Sequence, residues 1–158
     1  QNGYALPCDT QAMRRLSERL QREDGLAERA LSALRVAVHW ETQVKPPQTH
    51  RVAQVFASAL PVAYSKSTRS ADWEPFARLV LNGAYEATIC AARYLAAQRG
   101  SRVTVFLTSL GGGAFGNRHE WIVDAVNHSL ATHRDAPLDV VLVHYGTIVP
   151  KEWSSVGK

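Results

Sequence analysis

The chain has 158 residues, 46% of them hydrophobic and 20% charged, which is typical of a globular protein with one core. Its 18 Lys and Arg against 14 Asp and Glu give a formal charge of +4, a mild preference for an anionic partner such as a phosphate-bearing ligand. No apolar run approaches the roughly 18 residues that span a membrane, and no dense basic run indicates a nucleic-acid-binding surface.

Two cysteines, Cys8 and Cys90, suggest no disulfide framework. The default expectation is therefore the cytoplasm or another reducing compartment; secretion as an effector leaves no visible mark. We expect residues 1–158 to form a single domain, with neither a membrane nor a specific nucleic acid as partner.

The first third of the chain predicts two helices. Asp9 or Thr10 can cap the first, whose apolar positions recur at helical spacing (Met13, Leu16, Leu20). A second short helix fits residues 26–34.

Two strands are expected next. Residues 35–44 read as a strand that Lys45-Pro46-Pro47 ends. Residues 52–64 read as a second, largely buried strand, in which Pro61 limits the possible pairing.

The rest of the chain alternates helix and strand. A long apolar stripe predicts a helix over 73–98 that Gly100 ends, followed by a buried strand over 103–110. Asn117 with Glu120 resembles a capping box and predicts a further helix, and 138–145 reads as a last strand. This α/β alternation predicts a mixed, mostly parallel sheet with helices on both faces.

A glycine loop, Gly111-Gly-Gly-Ala-Phe-Gly-Asn117, connects the 103–110 strand to the next helix. Backbone N–H groups in such a loop, together with a helix N-terminus, form an anion site suited to a diphosphate. The alternative is a sharp connection that needs glycine only to turn.

Two other phosphate-binding motifs fit this loop less well. A P-loop ends in Gly-Lys-Ser/Thr, whereas Gly116 is followed by Asn117 and Arg118. The dinucleotide fingerprint G-x-G-x-x-G is matched, but it belongs to an early βαβ unit with an acidic residue at the far end of the next strand. Here Asp139 lies at the beginning of that strand.

The order of segments resembles a macrodomain of the poly(ADP-ribose) glycohydrolase-like branch. The strand and loop over 103–117 look like that branch's strand and its G-x-G-x-F-G loop, which wraps the ADP-ribose diphosphate and packs its aromatic residue on the distal ribose. The resemblance implies a three-layer α/β/α fold whose opening strands would precede Gln1. It also implies that Phe115 contacts the ribose and that the diphosphate lies on the backbone of Gly111, Gly112, Gly113, Ala114, Gly116 and Asn117.

The resemblance extends to the N-terminus. Gly3 and Gln11 fall at the spacing of the glycohydrolase motif, in which three glycines precede Gln-Glu-Glu by six to eight residues. Ala12 and Met13 follow Gln11 where the family carries acidic residues, and neither can transfer a proton.

Cleavage of an ADP-ribosyl linkage needs an acid for the leaving group and a positioned water. Asp9 is the first candidate, because effector macrodomains that remove ADP-ribose from ubiquitin use aspartates instead of the Glu pair. The competing role of Asp9 is a helix cap. Glu86 on the long helix is the second candidate, against a solvated position, and Gln11 completes the catalytic set.

The resemblance therefore implies ADP-ribose as ligand, no cofactor, and an ADP-ribosylated protein, ubiquitin among the candidates, as partner. The leading function is an ADP-ribosyl hydrolase. The alternatives are an ADP-ribose reader without turnover and a NAD-dependent Rossmann oxidoreductase.

Tyr145, at the carboxyl end of the last strand, is a candidate for adenine or ribose contact. The six histidines show no metal-ligand spacing, so no metal is expected.

Overall fold

The computed structural model describes residues 3–4, 6–146 and 149–157. These residues form four α-helices and four strands, in the order α1 Thr10–Arg22, α2 Leu26–Ala33, β1 Ala37–Gln43, β2 Arg51–Phe56, α3 Ser70–Arg99, β3 Val103–Thr108, α4 His119–Thr132 and β4 Leu138–Val143. The predicted α/β class is confirmed, as is the order of the elements. No helix within the described ranges is both long and apolar enough to cross a membrane.

The strands pair in two separate sheets. β1 and β2 are antiparallel, with an irregularity between His39 and Thr42. β3 and β4 are parallel, in a register that begins at Val103 opposite Leu138 and continues to Thr108 opposite Val143. The single mixed sheet expected from the sequence is thus present as two pairs, and no hydrogen-bonded strand joins β2 to β3 in the described part of the chain.

Only one face of the β3–β4 pair is covered in the described structure. Val105 and Leu107 point into the core that α3 and α4 complete. Phe106 points the other way and is 66% exposed, and Val141 and Val143 of β4 are exposed beside it. The expected helices on both faces are therefore seen on one face, although parallel sheets are usually covered on both.

Helix α3 is the centre of the core. Its buried residues include Leu81 and Ile89, which pack with Trp121 and Val126 of α4. At Gly83 the helix has no side chain, and α2 takes the space. An added Cβ there would lie 2.7 Å from Leu34 Cδ1, so α2 packs this closely because residue 83 is glycine.

Two ends predicted from capping residues are confirmed. The Asp9 carboxylate accepts a hydrogen bond from the Ala12 N–H and caps α1. Gly100 adopts φ +61° immediately after α3, the left-handed conformation that ends helices.

The prediction of a strand over 52–64 was correct only as far as Phe56. Residues 57–61 are irregular, and a 3₁₀ turn follows at Val62–Tyr64. Pro61 has no N–H to donate to a ladder, and the Ala63 N–H donates instead to the Phe115 carbonyl at 2.9 Å. The segment therefore packs under the glycine loop instead of extending the sheet.

Candidate anion-binding site

The glycine loop lies at the carboxyl end of β3, and two of its glycines are required by packing. Gly111 and Gly116 adopt φ +74° and +70°. A Cβ at Gly116 would lie 2.7 Å from Ala63 Cβ, and one at Gly111 would overlap Ala59. At these two positions the turn and its packing alone account for the glycine.

Gly113 differs from Gly111 and Gly116 in this respect. A Cβ built there meets no atom within 4 Å, and its φ lies outside the left-handed region. The fold does not require glycine at this position, and its backbone is exposed at the tip of the loop.

The N–H groups of the loop fall into two sets. Those of Gly112, Gly116 and Asn117 donate to carbonyls within the loop region, at 3.0–3.1 Å. Those of Gly113, Ala114 and Phe115 have no hydrogen-bond partner among the described residues. Successive main-chain donors without a protein partner can bind an anion where they point to one place.

The beginning of α4 adds positive potential next to this tip. Arg118 precedes the helix and gives it no side-chain cap, so first-turn N–H groups and the helix dipole remain available to an anion. The His119 ring lies beside the loop, because a Cβ at Gly112 would be 3.5 Å from its Cε1. The Arg118 guanidinium lies 5.5 Å from the Trp121 ring centroid and 3.4 Å from Glu120 Oε1.

Three buried polar atoms near the loop have no hydrogen-bond partner in the described part: Ser109 Oγ, Asn117 Oδ1 and His144 Nδ1. Ser109 and His144 are neighbours at the carboxyl edge, since each follows one member of the Thr108–Val143 pair. Buried polar atoms almost always have partners, so a bound water or a ligand is expected to supply them. Ligands of open α/β sheets bind at this edge.

Three aromatic rings pack together at the loop. Phe115 meets Tyr4 and Tyr64 edge-on, at centroid distances of 5.7 and 5.4 Å, and the two tyrosines are 5.0 Å apart. Tyr4 and Tyr64 remain 40% exposed, so their rings are accessible to a ligand. The contact also brings Gly3, the neighbour of Tyr4, to the same region as Phe115.

Tyr85 of α3 fixes the junction of β3 and the loop. Its hydroxyl donates to the Thr108 carbonyl at 2.6 Å and accepts from the Leu110 N–H at 3.0 Å. Burial raises the pKa of this phenol to about 12, so it is a neutral donor at physiological pH. The Tyr85 hydroxyl thus fixes the beginning of the loop, a role that the sequence analysis did not predict.

Asn117 does not act as the predicted helix cap. Its Nδ2 donates to the Leu60 and Gly111 carbonyls at 2.8 and 3.3 Å, and Arg118 is the residue that precedes α4. The side chain is buried and joins the loop to the 57–61 segment. Its role in the site is therefore to shape the loop.

Two of the catalytic candidates, Asp9 and Gln11, make their hydrogen bonds within helix α1 and not with the loop. Asp9 caps the helix, and Gln11 Oε1 accepts from Arg15 at 3.4 Å on an exposed surface. Neither has a hydrogen bond to a loop residue in the described structure.

Glu86 lies at the other end of α4. Its Oε1 is 2.6 Å from His133 Nε2, and His133 immediately follows the last residue of α4. The glycine loop precedes the first residue of the same helix, and 14 helical residues span about 20 Å. The structure therefore does not bring Glu86 to the loop.

Glu86, Cys90 and His133 are the one described group whose ligand atoms could converge on a metal, all within 4.8 Å of one another. Arg93 lies 2.8 Å from His133 Nδ1 and can only donate, so the imidazole proton is on Nε2 and points to Glu86. Burial and the neighbouring Glu86 carboxylate raise the pKa of the Cys90 thiol. The cluster is best explained as a polar contact between α3 and the end of α4.

Tyr145 has no packing contact in the described structure and is fully exposed, whereas the preceding His144 is partly buried. Leu138, Val140 and Leu142 alternate inward along β4, which places His144 inward and Tyr145 outward. The same alternation, read from the sequence, would have identified His144 as the inward residue at the carboxyl edge. Tyr4 and Tyr64 left no such periodic signal.

Comparison of the chain with protein-family models, with curated proteins and with solved structures found no match.

Proposed function

We propose that this protein binds ADP-ribose at the glycine loop, with the diphosphate on the N–H groups of Gly113, Ala114 and Phe115. The observation that carries the proposal is this run of three free donors next to the N-terminus of α4. A diphosphate offers several acceptor oxygens in a row, which suits consecutive main-chain donors. Arg118 adds a positive charge next to these donors, and the His119 ring adds a further hydrogen-bonding group.

The surroundings of the loop suit the rest of the nucleotide sugar. Exposed faces of Tyr4 and Tyr64 beside Phe115 offer apolar surface for a ribose or an adenine ring. These rings support the proposed placement of the nucleotide sugar at the loop.

We further propose a three-layer macrodomain architecture whose third layer is not among the described residues. The apolar outer face of β3 and β4, with Phe106, Val141 and Val143 exposed, has the composition of a sheet face that a further layer covers.

Binding without turnover is the form of this function that the geometry favours. Hydrolysis needs a carboxylic acid at the sugar. Asp9 is engaged as a helix cap and Glu86 with His133, while Glu120 is exposed and paired with Arg118. We propose that the partner is an ADP-ribosylated protein that this domain recognises in a reducing compartment.

Hydrolysis is the second proposal, with Asp9 as the acid. It is favoured by the contact of Tyr4 with Phe115, because this contact brings the N-terminal segment that leads to Asp9 against the loop. A Rossmann oxidoreductase is disfavoured, since Asp139 lies at the amino end of β4 and pairs with Arg102 at 2.7 Å.

Gly113 allows a direct test of the diphosphate placement, because its side-chain direction is empty. Titration calorimetry with ADP-ribose should show saturable binding to the unsubstituted chain. Gly113→Glu should weaken it at least tenfold more than Gly113→Gln, since the two differ only in charge. Equal affinities for the two variants would place the diphosphate elsewhere.

The same preparation separates the functional classes. Turnover of an ADP-ribosylated protein, measured by release of ADP-ribose, should be absent or very slow, which selects the reader. Rapid turnover that Asp9→Asn abolishes would select the hydrolase. Binding of NAD but not ADP-ribose would select the oxidoreductase.

A further inference from the structure

A cavity of about 470 Å³ separates the two sheets. One wall is β2, at residues 51–53 and 55, and the other is the 103–106 stretch of β3. The floor is a strip of α3 with small and apolar side chains, among them Ala91, Ala92 and Leu95. Both walls are strands, and the described residues place no hydrogen-bonded strand between them.

The two walls run in the same direction. Phe56, the last residue of β2, shares a surface pocket with Val80 and Ala84 of α3, and Thr108, the last residue of β3, is bonded to Tyr85. The beginnings of both strands line the cavity together with residues from the last turns of α3. The arrangement is therefore a crossover from β2 through α3 to β3, with a position left open between the strands.

The β3 edge that faces the cavity carries unused main-chain groups. The Val103 N–H donates to the Pro137 carbonyl at 3.1 Å, so the odd-numbered residues of β3 direct their polar groups towards β4. These groups alternate sides along a strand. Thr104 and Phe106 therefore direct their N–H and C=O groups into the cavity, where they form a template for another strand.

One end of the cavity is basic, with Arg51, Arg99 and Arg102. Arg99 pairs with Glu41 at 3.5 Å, and Arg102 pairs with Asp139. Arg51 reaches only the main-chain carbonyl of Glu41, at 3.3 Å. Within the described ranges its charge has no carboxylate partner, so this end of the cavity favours an acidic side chain.

We propose that this cavity binds an extended peptide of another protein as an added β-strand between β2 and β3. The peptide would donate to and accept from the edge groups of Thr104 and Phe106 and join the two pairs into one sheet. Apolar side chains at alternate positions would lie on the α3 floor, and an acidic residue at the end of the strand would face Arg51. The proposal is independent of ADP-ribose binding.

A fluorescein-labelled peptide of six residues, with valine and threonine alternating and glutamate at one end, tests the proposal in both orientations of the charge. Fluorescence anisotropy with the full chain should show saturable binding for one orientation. Methylation of alternate peptide nitrogens should weaken it at least tenfold, since this removes the ladder donors but keeps the side chains.

Thr104→Pro is the matched variant of the protein. It removes a donor from the cavity edge and leaves the β4 side intact, so the melting temperature should change little while peptide binding falls at least tenfold. Thr104→Val, which keeps the N–H, is the control. Arg51→Glu should weaken the glutamate peptide several-fold and favour a lysine-ended peptide, which tests the charge even if the proline variant fails to fold.

Three results would contradict the proposed peptide binding. No saturable binding in either orientation would overturn the proposal, and so would equal binding of the N-methylated peptide. A dimer that sedimentation detects and Thr104→Pro dissolves would assign the cavity to a second copy of this chain and overturn the partner peptide.

Discussion

Asn117 donates a hydrogen bond from its carboxamide to the main-chain carbonyl of Leu60 at 2.8 Å, across 57 residues of sequence. The side chain is only 3% exposed, so water cannot replace the bond. Through this contact the irregular segment after β2 supports the glycine loop, and the geometry of the loop depends on a distant part of the chain.

Replacement of Asn117 by alanine should therefore cost about 0.5–1.5 kcal/mol of unfolding free energy, because the Leu60 carbonyl loses a buried hydrogen bond and keeps only the one from the Val62 N–H. It should also weaken the proposed binding of ADP-ribose by loosening the loop. Urea denaturation and calorimetry measure the two effects. Asn127→Ala is the control, since Asn127 also bonds a main-chain carbonyl, that of Ser155, but in an exposed position. A variant as stable as the unsubstituted chain would show that the Leu60 contact is unimportant.

The sequence predicted best the elements that depend on residues close to one another in the chain. The apolar stripe of α3 with Gly100 after it, and the cap of Asp9 on α1, depend on residues within a few turns of one another. The length of β2 was overestimated because an apolar run does not reveal whether it pairs as a strand or packs against a loop. The bond from Ala63 to Phe115 decides this, and it joins segments 52 residues apart.

The site shows the same division. The glycine loop was visible in the sequence, because closely spaced glycines between a strand and a helix predict a tight turn with accessible main-chain groups. The role of Asn117 was not, since an asparagine three residues before a glutamate has the pattern of a capping box. The buried pair of Ser109 and His144 depends on the register between β3 and β4, which the sequence does not contain.

Glu86→Gln provides a test of the distance between that carboxylate and the loop. Loss of the negatively charged acceptor for His133 should lower the unfolding free energy by about 1–3 kcal/mol. ADP-ribose affinity should stay unchanged, because the glutamate lies at the far end of α4. Glu120→Gln, in the first turn of α4, is an exposed control near the loop. Loss of binding or turnover in a Glu86→Gln protein of normal stability would show that Glu86 does contribute to the site.

The uncovered face of β3 predicts opposite outcomes for adjacent residues. Phe106→Lys should change the unfolding free energy by less than about 0.5 kcal/mol and reduce self-association, since the ring is exposed on an apolar face. Leu107→Ala should cost about 2–5 kcal/mol, because its side chain is buried in the core. Urea denaturation with light scattering measures both. A large loss of stability in Phe106→Lys would show that this face is covered in solution.

Tyr85 links the stability of the loop to alkaline pH. The folded protein holds the pKa of Tyr85 at about 12, above the ordinary value of about 10 in the unfolded chain. Between these values the unfolded chain has lost the proton and the folded chain still holds it. The contribution of Tyr85 is therefore complete below pH 10 and is lost as the pH rises towards 12, by roughly 2–3 kcal/mol in total.

Tyr85→Phe isolates this contribution, since it removes the hydroxyl that bonds Thr108 and Leu110 and cannot ionise. At pH 8 the variant should be less stable than the unsubstituted chain by about 1–3 kcal/mol and should bind ADP-ribose more weakly. At pH 11 the difference in unfolding free energy should shrink, because only the unsubstituted chain loses stability from this group. Urea denaturation at both pH values, with Tyr94→Phe as an exposed control on the same helix, measures the change. A difference that stays constant from pH 8 to pH 11 would show that the hydroxyl is not buried between α3 and β3, and that the loop is held by other contacts.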